Sequence, residues 1–253
     1  MNQNPILKVL LTFKKFKVRN LLIGGQACIV YGATEFSRDS DFIIYCDLQN
    51  LVNLKKALNI LKAKQIFIPS LIKEYLDKGH ACHFRCFARD VENLRIDIMS
   101  KLKGCDNFEK LWERRYIIKM PNRMIIEVIS LEDLVQCKKT QRDKDWFMIN
   151  RLIENDMFKV KRPSKTKIKW WLNECRDAEK LIKLSGENIK LAKESIKQRA
   201  LLKFALKKDV RKLKFSLYNE EMYERNKDIK YWEPLKKELG ILRHKVILSN
   251  INT

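Results

Sequence analysis

Ser37-Arg-Asp39-Ser-Asp41-Phe-Ile-Ile44 sets two aspartates two residues apart at the head of an apolar run. Side chains alternate along a strand, so both carboxylates point to one face, ~6.6 Å apart along the backbone, and both can reach one cation. Magnesium prefers oxygen ligands, and in phosphoryl-transfer sites it is held by carboxylates together with substrate phosphates. Upstream, Asn20-Leu-Leu-Ile-Gly24-Gly25 is a short apolar run stopped by two glycines, and Gln26-Ala-Cys-Ile-Val-Tyr31-Gly32 reads as a helix after it. Bare backbone N–H groups at such a turn, with the helix dipole behind them, can hold a triphosphate. Downstream, Leu94-Arg-Ile-Asp97-Ile-Met99 is again one acid inside an apolar strand, where a buried charge is costly unless a metal or a partner neutralises it. Each feature has a plain reading of its own: an acid pair at a strand edge, a tight turn, an ion-paired strand residue.

Further outward, apolar residues recur at three- and four-residue spacing over residues 5–17, which predicts an amphipathic helix. A helix is expected over residues 48–63 and a strand over 65–68. Strands are also expected at 81–87 and 94–99, joined as a hairpin by Arg89-Asp90-Val-Glu-Asn93. Residues 107–115 return to helix, 116–129 hold two short strands about Pro121-Asn122, and Ser130-Leu-Glu-Asp133 is a capping box opening a helix that carries Lys138-Lys139. After Phe158 the pattern turns helical and basic. The expected fold class is therefore α/β (α+β), a mixed sheet flanked by helices over residues 1–157, followed by a basic all-helical domain over 158–253.

Gly24-Gly25, then Asp39-x-Asp41, then Asp97 in an apolar strand resembles the nucleotidyltransferase fold of the DNA polymerase β superfamily. Gly79-His-Ala-Cys-His83-Phe-Arg85-Cys, Leu94-Arg-Ile-Asp-Ile-Met-Ser100, Leu111-Trp-Glu-Arg-Arg115 and Lys138-Lys-Thr-Gln-Arg-Asp-Lys-Asp145-Trp are similar to segments of an uncharacterised bacterial nucleotidyltransferase-like family. The resemblance implies a site with two Mg²⁺ ions. Asp39 and Asp41 hold metal on the phosphates of a nucleoside triphosphate, and Asp97 binds the second metal and helps deprotonate an acceptor hydroxyl. Clustered anions offset the mutual repulsion of two cations ~3.5–4 Å apart. Gly24, Gly25 and Gln26 would line the nucleotide, with Gln26 standing where the family usually has a small hydroxyl residue. The implied activity is transfer of a nucleoside monophosphate to RNA or tRNA, to a protein or to a small molecule, with toxin, toxin–antitoxin or defence roles within the family's breadth. The alternative is a non-catalytic nucleotide- or RNA-binding module, or an antitoxin-like partner, of the same fold.

The net charge of +22 favours phosphate polyanions, with RNA the leading partner class through the basic C-terminal helices, although an A/T-rich genome would also enrich lysine. Lys138, Lys139, Arg142 and Lys144 form a basic cluster from which Lys139 and Lys144 are the expected nucleotide contacts; the plain reading is a solvated helix face. Trp170, Trp171, Tyr231 and Trp232 can stack on unpaired bases, though aromatics at helix ends more often pack in a core. His80, Cys82, His83 and Cys86 are zinc-type residues without a second pair at ligand spacing, and His83 and Arg85 share one strand face. The seven cysteines include no Cys-x-x-Cys pair, which suits reduced thiols in a cytoplasm. No signal-peptide core, membrane span or membrane partner is expected, and a protein partner stays open.

Overall fold

A computed structural model of the chain describes residues 5–34, 36–120 and 124–251, the last six as backbone alone. The chain divides into two compact units, residues 1–30, 34–137 and 230–253 in the first, and 31–33 and 138–229 in the second.

The first unit runs α1 (Pro5–Lys15), β1 (Asn20–Ile23), α2 (Gly24–Val30), β2 (Asp39–Ile44), α3 (Leu48–Ile60), β3 (Lys64–Gln65), α4 (Lys73–Lys78), β4 (Cys82–Arg85), β5 (Arg95–Met99), α5 (Phe108–Glu113), β6 (Tyr116–Lys119), β7 (Ile125–Val128) and α6 (Leu131–Cys137). Among the described residues seven strands form one mixed sheet in the order β3-β4-β5-β2-β1-β7-β6. The pairs β2–β5 and β1–β7 are parallel; β1–β2, β4–β5, β3–β4 and β6–β7 are antiparallel. Burial explains the centre of the sheet, since all of β1 and Phe42, Ile43 and Ile44 of β2 are buried. Phe13 of α1 meets Phe42 with ring centroids 4.9 Å apart, so α1 covers the face carrying Ser40, Phe42 and Ile44 and leaves Asp39 and Asp41 on the other.

Local caps fix where the helices begin. Asp47 accepts from the N–H of Asn50 to start α3, and the buried Asn50 amide donates to the carbonyls of Arg19 and Tyr45, fastening α3 to the ends of β1 and β2. Ser130 Oγ accepts from the Asp133 N–H, which is the N-cap half of the expected capping box, and donates to Asp133 Oδ2. The helix it opens stops at Cys137, so Lys138-Lys139 follows α6 and is not carried on it. The strand expected over 65–68 shortens to the two residues of β3, and the turn at Pro121-Asn122 lies outside the described residues.

The second unit is helical: α7 (Asp143–Lys159), α8 (Lys165–Glu174), α9 (Ala178–Glu187), α10 (Ile189–Ser195), α11 (Leu202–Leu206) and the first part of α12 (Val210–Ile251). The change in composition at residue 158 falls within α7, whose apolar stripe of Trp146, Ile149, Leu152 and Ile153 is buried in this unit. Arg199, 5% exposed, donates to the carbonyls of Leu172 and Cys175 and to the carboxylate of Glu220 on α12, tying three helical segments together. From Lys230 onward α12 belongs to the first unit, where Leu235 is buried and Glu238 accepts from Lys78 and pairs with His80.

Candidate active site

The acid-bearing face is assembled by strand register. Asp41 on β2 is the partner of Asp97 on parallel β5, Asp39 is the partner of Arg95, and Ile23 at the end of β1 is opposite Asp41. His83 on β4 is opposite Asp97. Cross-strand partners share a face, so Asp39, Asp41, Asp97, Arg95 and His83 all project to one side of the sheet. The expected grouping of the three acids on one face is present in the register.

Gly24 sits beneath this row. Its φ is +64°, and a Cβ there would lie 1.9 Å from Asp41 Oδ2, so glycine is demanded both by the backbone and by the approach of the carboxylate. A Cβ on Gly25 would lie 2.2 Å from Ser37 Oγ. Gln26 turns away to donate to the Ser37 carbonyl at 3.1 Å. The Ser37 hydroxyl, over Gly25, donates to the Asp39 carbonyl at 3.2 Å.

Asp97 is 7% exposed, and its charge is met within the protein. Arg95 donates from Nε to Oδ1 at 2.8 Å and from Nη2 to Oδ2 at 2.9 Å, and His83 Nδ1 donates to Oδ1 at 2.8 Å. Burial pushes the Asp97 carboxyl pKa up, but the hydrogen bonds from His83 and Arg95 outweigh it and hold the group below its ordinary range. The hydrogen bond to Asp97 in turn raises Arg95, with further attraction from Asp39 and Asp41. Arg95 is therefore the cation of the acid face. Strand alternation alone places Arg95 beside Asp97, and this was the signal available in Leu94-Arg-Ile-Asp97.

Among the described residues no three of His, Cys, Asp and Glu converge closely enough to enclose a metal ion. The donors nevertheless suit magnesium in kind, being carboxylate oxygens, with Asp39 and Asp41 half-buried at the mouth of the face. Among the described residues Asp97 Oδ2 takes a single hydrogen bond, from Arg95, and so keeps a lone pair with which it could join them.

The other expected site residues have partners and surroundings of their own. In the second unit Lys139 pairs with Glu174 at 2.7 Å, while Lys144 is exposed on α7. Asp145, 1% exposed, accepts from Lys138, Thr140 and Arg142, so two more cations of that cluster serve a buried acid. Trp171 is buried with its indole N–H on Asp156, and in the first unit Tyr231 and Trp232 pack edge to face. The zinc-type residues do not gather: His80 pairs with Glu238, His83 with Asp97, and Cys82 and Cys86 are buried thiols whose pKa burial pushes up to about 12 and about 11. Arg85 is exposed at the end of β4. No helix among the described residues is long and apolar enough to cross a membrane.

No family model matches the chain, and no curated protein matches it. Among solved structures it is similar to a crystal structure described as a "putative nucleotidyltransferase from H. pylori", at 15% identity over 89% of this chain and 94% of that one, with a TM-score of 0.41.

Proposed function

We propose that the protein is a nucleotidyltransferase that moves a nucleoside monophosphate from a nucleoside triphosphate to an acceptor hydroxyl. The observation that carries this reading is the register of Asp41 against Asp97, with Asp39 two residues away on the same face and Gly24 packed under Asp41. Asp39 and Asp41 would hold Mg²⁺, which supplies charge neutralisation on the transferring phosphate. The residues' own work is positional. Gly24 and Gly25 let the nucleotide phosphates approach the backbone, and Ser37 offers a hydroxyl beside them. Asp97 accepts the proton of the acceptor hydroxyl at Oδ2, which takes one hydrogen bond from Arg95. The acceptor's oxygen then bonds the α-phosphorus, the bond to the bridging oxygen breaks, and pyrophosphate leaves with the electron pair.

The favoured acceptor is an RNA end, on the strength of the basic charge; a protein side chain or a small molecule, as in a toxin or defence system, is the second choice. The test is transfer of α-³²P label from each nucleoside triphosphate to cellular RNA and to cellular protein with Mg²⁺. Label on one class that disappears in Asp39→Ala and Asp97→Ala supports transfer and identifies the acceptor. A second reading, a non-catalytic binding module or antitoxin-like partner, is favoured by one observation, the occupation of both Asp97 oxygens by Arg95. Nucleotide binding without any label transfer, unchanged by Asp97→Ala, would decide for it.

A further inference from the structure

The aromatics that the second unit exposes are not the tryptophans. Phe147 and Phe158 of α7 are 72% and 73% exposed. They stand eleven residues apart, about three helical turns, so both rings lie on one side of α7 roughly 16 Å from each other. Lys144 and Arg151 fall on the same side, and the Lys161 ammonium lies 4.4 Å from the centre of the Phe158 ring. Two acids of this helix, Asp143 and Glu154, fall on the same side in ion pairs with Arg225 and Lys180, while Asp145 pairs with Lys138 and Asp156 with Lys167 and the Trp171 indole. With those two acids paired, Lys144, Arg151 and Lys161 leave the surface net positive, with two separated rings in it. The unit as a whole holds 26 Lys and Arg against 14 Asp and Glu.

We infer that this side of α7, with Phe147, Phe158, Lys144, Arg151 and Lys161, is a docking face for single-stranded RNA. Isolated rings among cations match the way unpaired bases are held, each base on a π-face and the backbone on ammonium and guanidinium groups. A protein interface or a membrane-seeking helix would instead join its aromatics into a continuous apolar patch, whereas the charged residues Arg151 and Glu154 lie between these two. The identification of RNA rests on the proposed transfer to an RNA end; the face itself rests on α7 alone.

Binding of a fluorescein-labelled oligouridylate to the full-length protein, followed by anisotropy with neither nucleotide nor metal ion, tests this. The Phe147→Ala/Phe158→Ala variant is expected to raise Kd about tenfold or more, and Phe147→Tyr/Phe158→Tyr to stay within about twofold of wild type. Lys144→Gln with Lys161→Gln is expected to lower the slope of log affinity against log salt by about 1.4. The inference is overturned if the double alanine variant binds as wild type does. It is equally overturned if duplex RNA competes as well as the single strand, or if the two phenylalanines govern binding to phosphatidylglycerol vesicles and not to the oligonucleotide. Asp41→Ala is expected to bind the oligonucleotide normally, so failure of the transfer reaction and failure of this face are read separately.

Discussion

The Arg95 guanidinium grips Asp97 two residues further along the same strand, with contacts of 2.8 and 2.9 Å to its two carboxylate oxygens. Arg95 is also the register partner of Asp39, so one side chain supplies positive charge to the whole acid row. Any magnesium ion that uses Asp97 competes with it. Arg95→Ala is therefore expected to bind Mn²⁺ more tightly than wild type, read from the electron paramagnetic resonance signal of free Mn²⁺. The same variant should lose about 2 kcal/mol of stability, because Asp97 keeps only His83. Equal Mn²⁺ affinity in both proteins would remove Asp97 from the ligand set.

Gly24 and Gly186 make a matched pair of substitutions. Gly24→Ala meets both the strain of a φ of +64° and a carboxylate 1.9 Å from the new Cβ, so it should displace Asp41, abolish any Asp41-dependent label transfer and lower stability by about 1–3 kcal/mol. Gly186 lies within α9, where an added Cβ would meet nothing within 4 Å, and Gly186→Ala should stabilise the protein by about 0.5–1 kcal/mol. Thermal denaturation of both variants checks the contrast.

Acid should weaken each unit through one buried aspartate. Asp97 and Asp145 both have pKa values held below the ordinary range: burial raises each, but His83 and Arg95 outweigh it at Asp97, and Lys138 and Thr140 outweigh it at Asp145. A depressed folded-state pKa contributes stability above the unfolded value of about 3.9, and that contribution is lost as pH falls through the folded value. Unfolding temperature should thus drop between about pH 5 and pH 3, and Asp97→Asn and Asp145→Asn should each start lower and fall less steeply. A variant with the wild-type slope would exclude its aspartate as a source of the acid lability.

The end of α12 should protect His80. That ring is 1% exposed and pairs with Glu238 at 2.9 Å, while Tyr231 and Leu235 lie within 4 Å of where a Cβ on Gly79 would be. Removing residues 230–253 should make His80 react readily with diethyl pyrocarbonate, whereas in the full chain it should resist. Slow modification in both would mean that this segment of α12 does not cover the ring in solution.

The elements that build the acid face were legible because each carries its own local signal. Asn20–Ile23 is an unbroken apolar run ended by glycine, and Asp39 and Asp41 alternate with buried residues. Helix α4 was missed, since six residues give too short a window for helical spacing to show. The partner of Asp97 was expected as a metal or some positive group; alternation puts Arg95 on the same face, but its two-pronged grip depends on rotamer, which no periodicity encodes. The return of α12 to His80 and Lys78 was also beyond the sequence, because the pairing joins residues 160 positions apart along the chain. The lysines after α6 looked like free phosphate ligands, and their engagement by Asp145 and Glu174 is likewise a product of tertiary packing.

The burial of Cys82 and Cys86 makes the protein its own stopwatch. Desolvation keeps these thiols protonated at neutral pH, and the thiolate is the form that alkylating reagents and peroxide attack. Label can enter at those positions only when the sheet opens around β4. The rate of iodoacetamide uptake at Cys82 therefore counts excursions from the native state, and any ligand that settles on the acid face should slow that count without touching a cysteine.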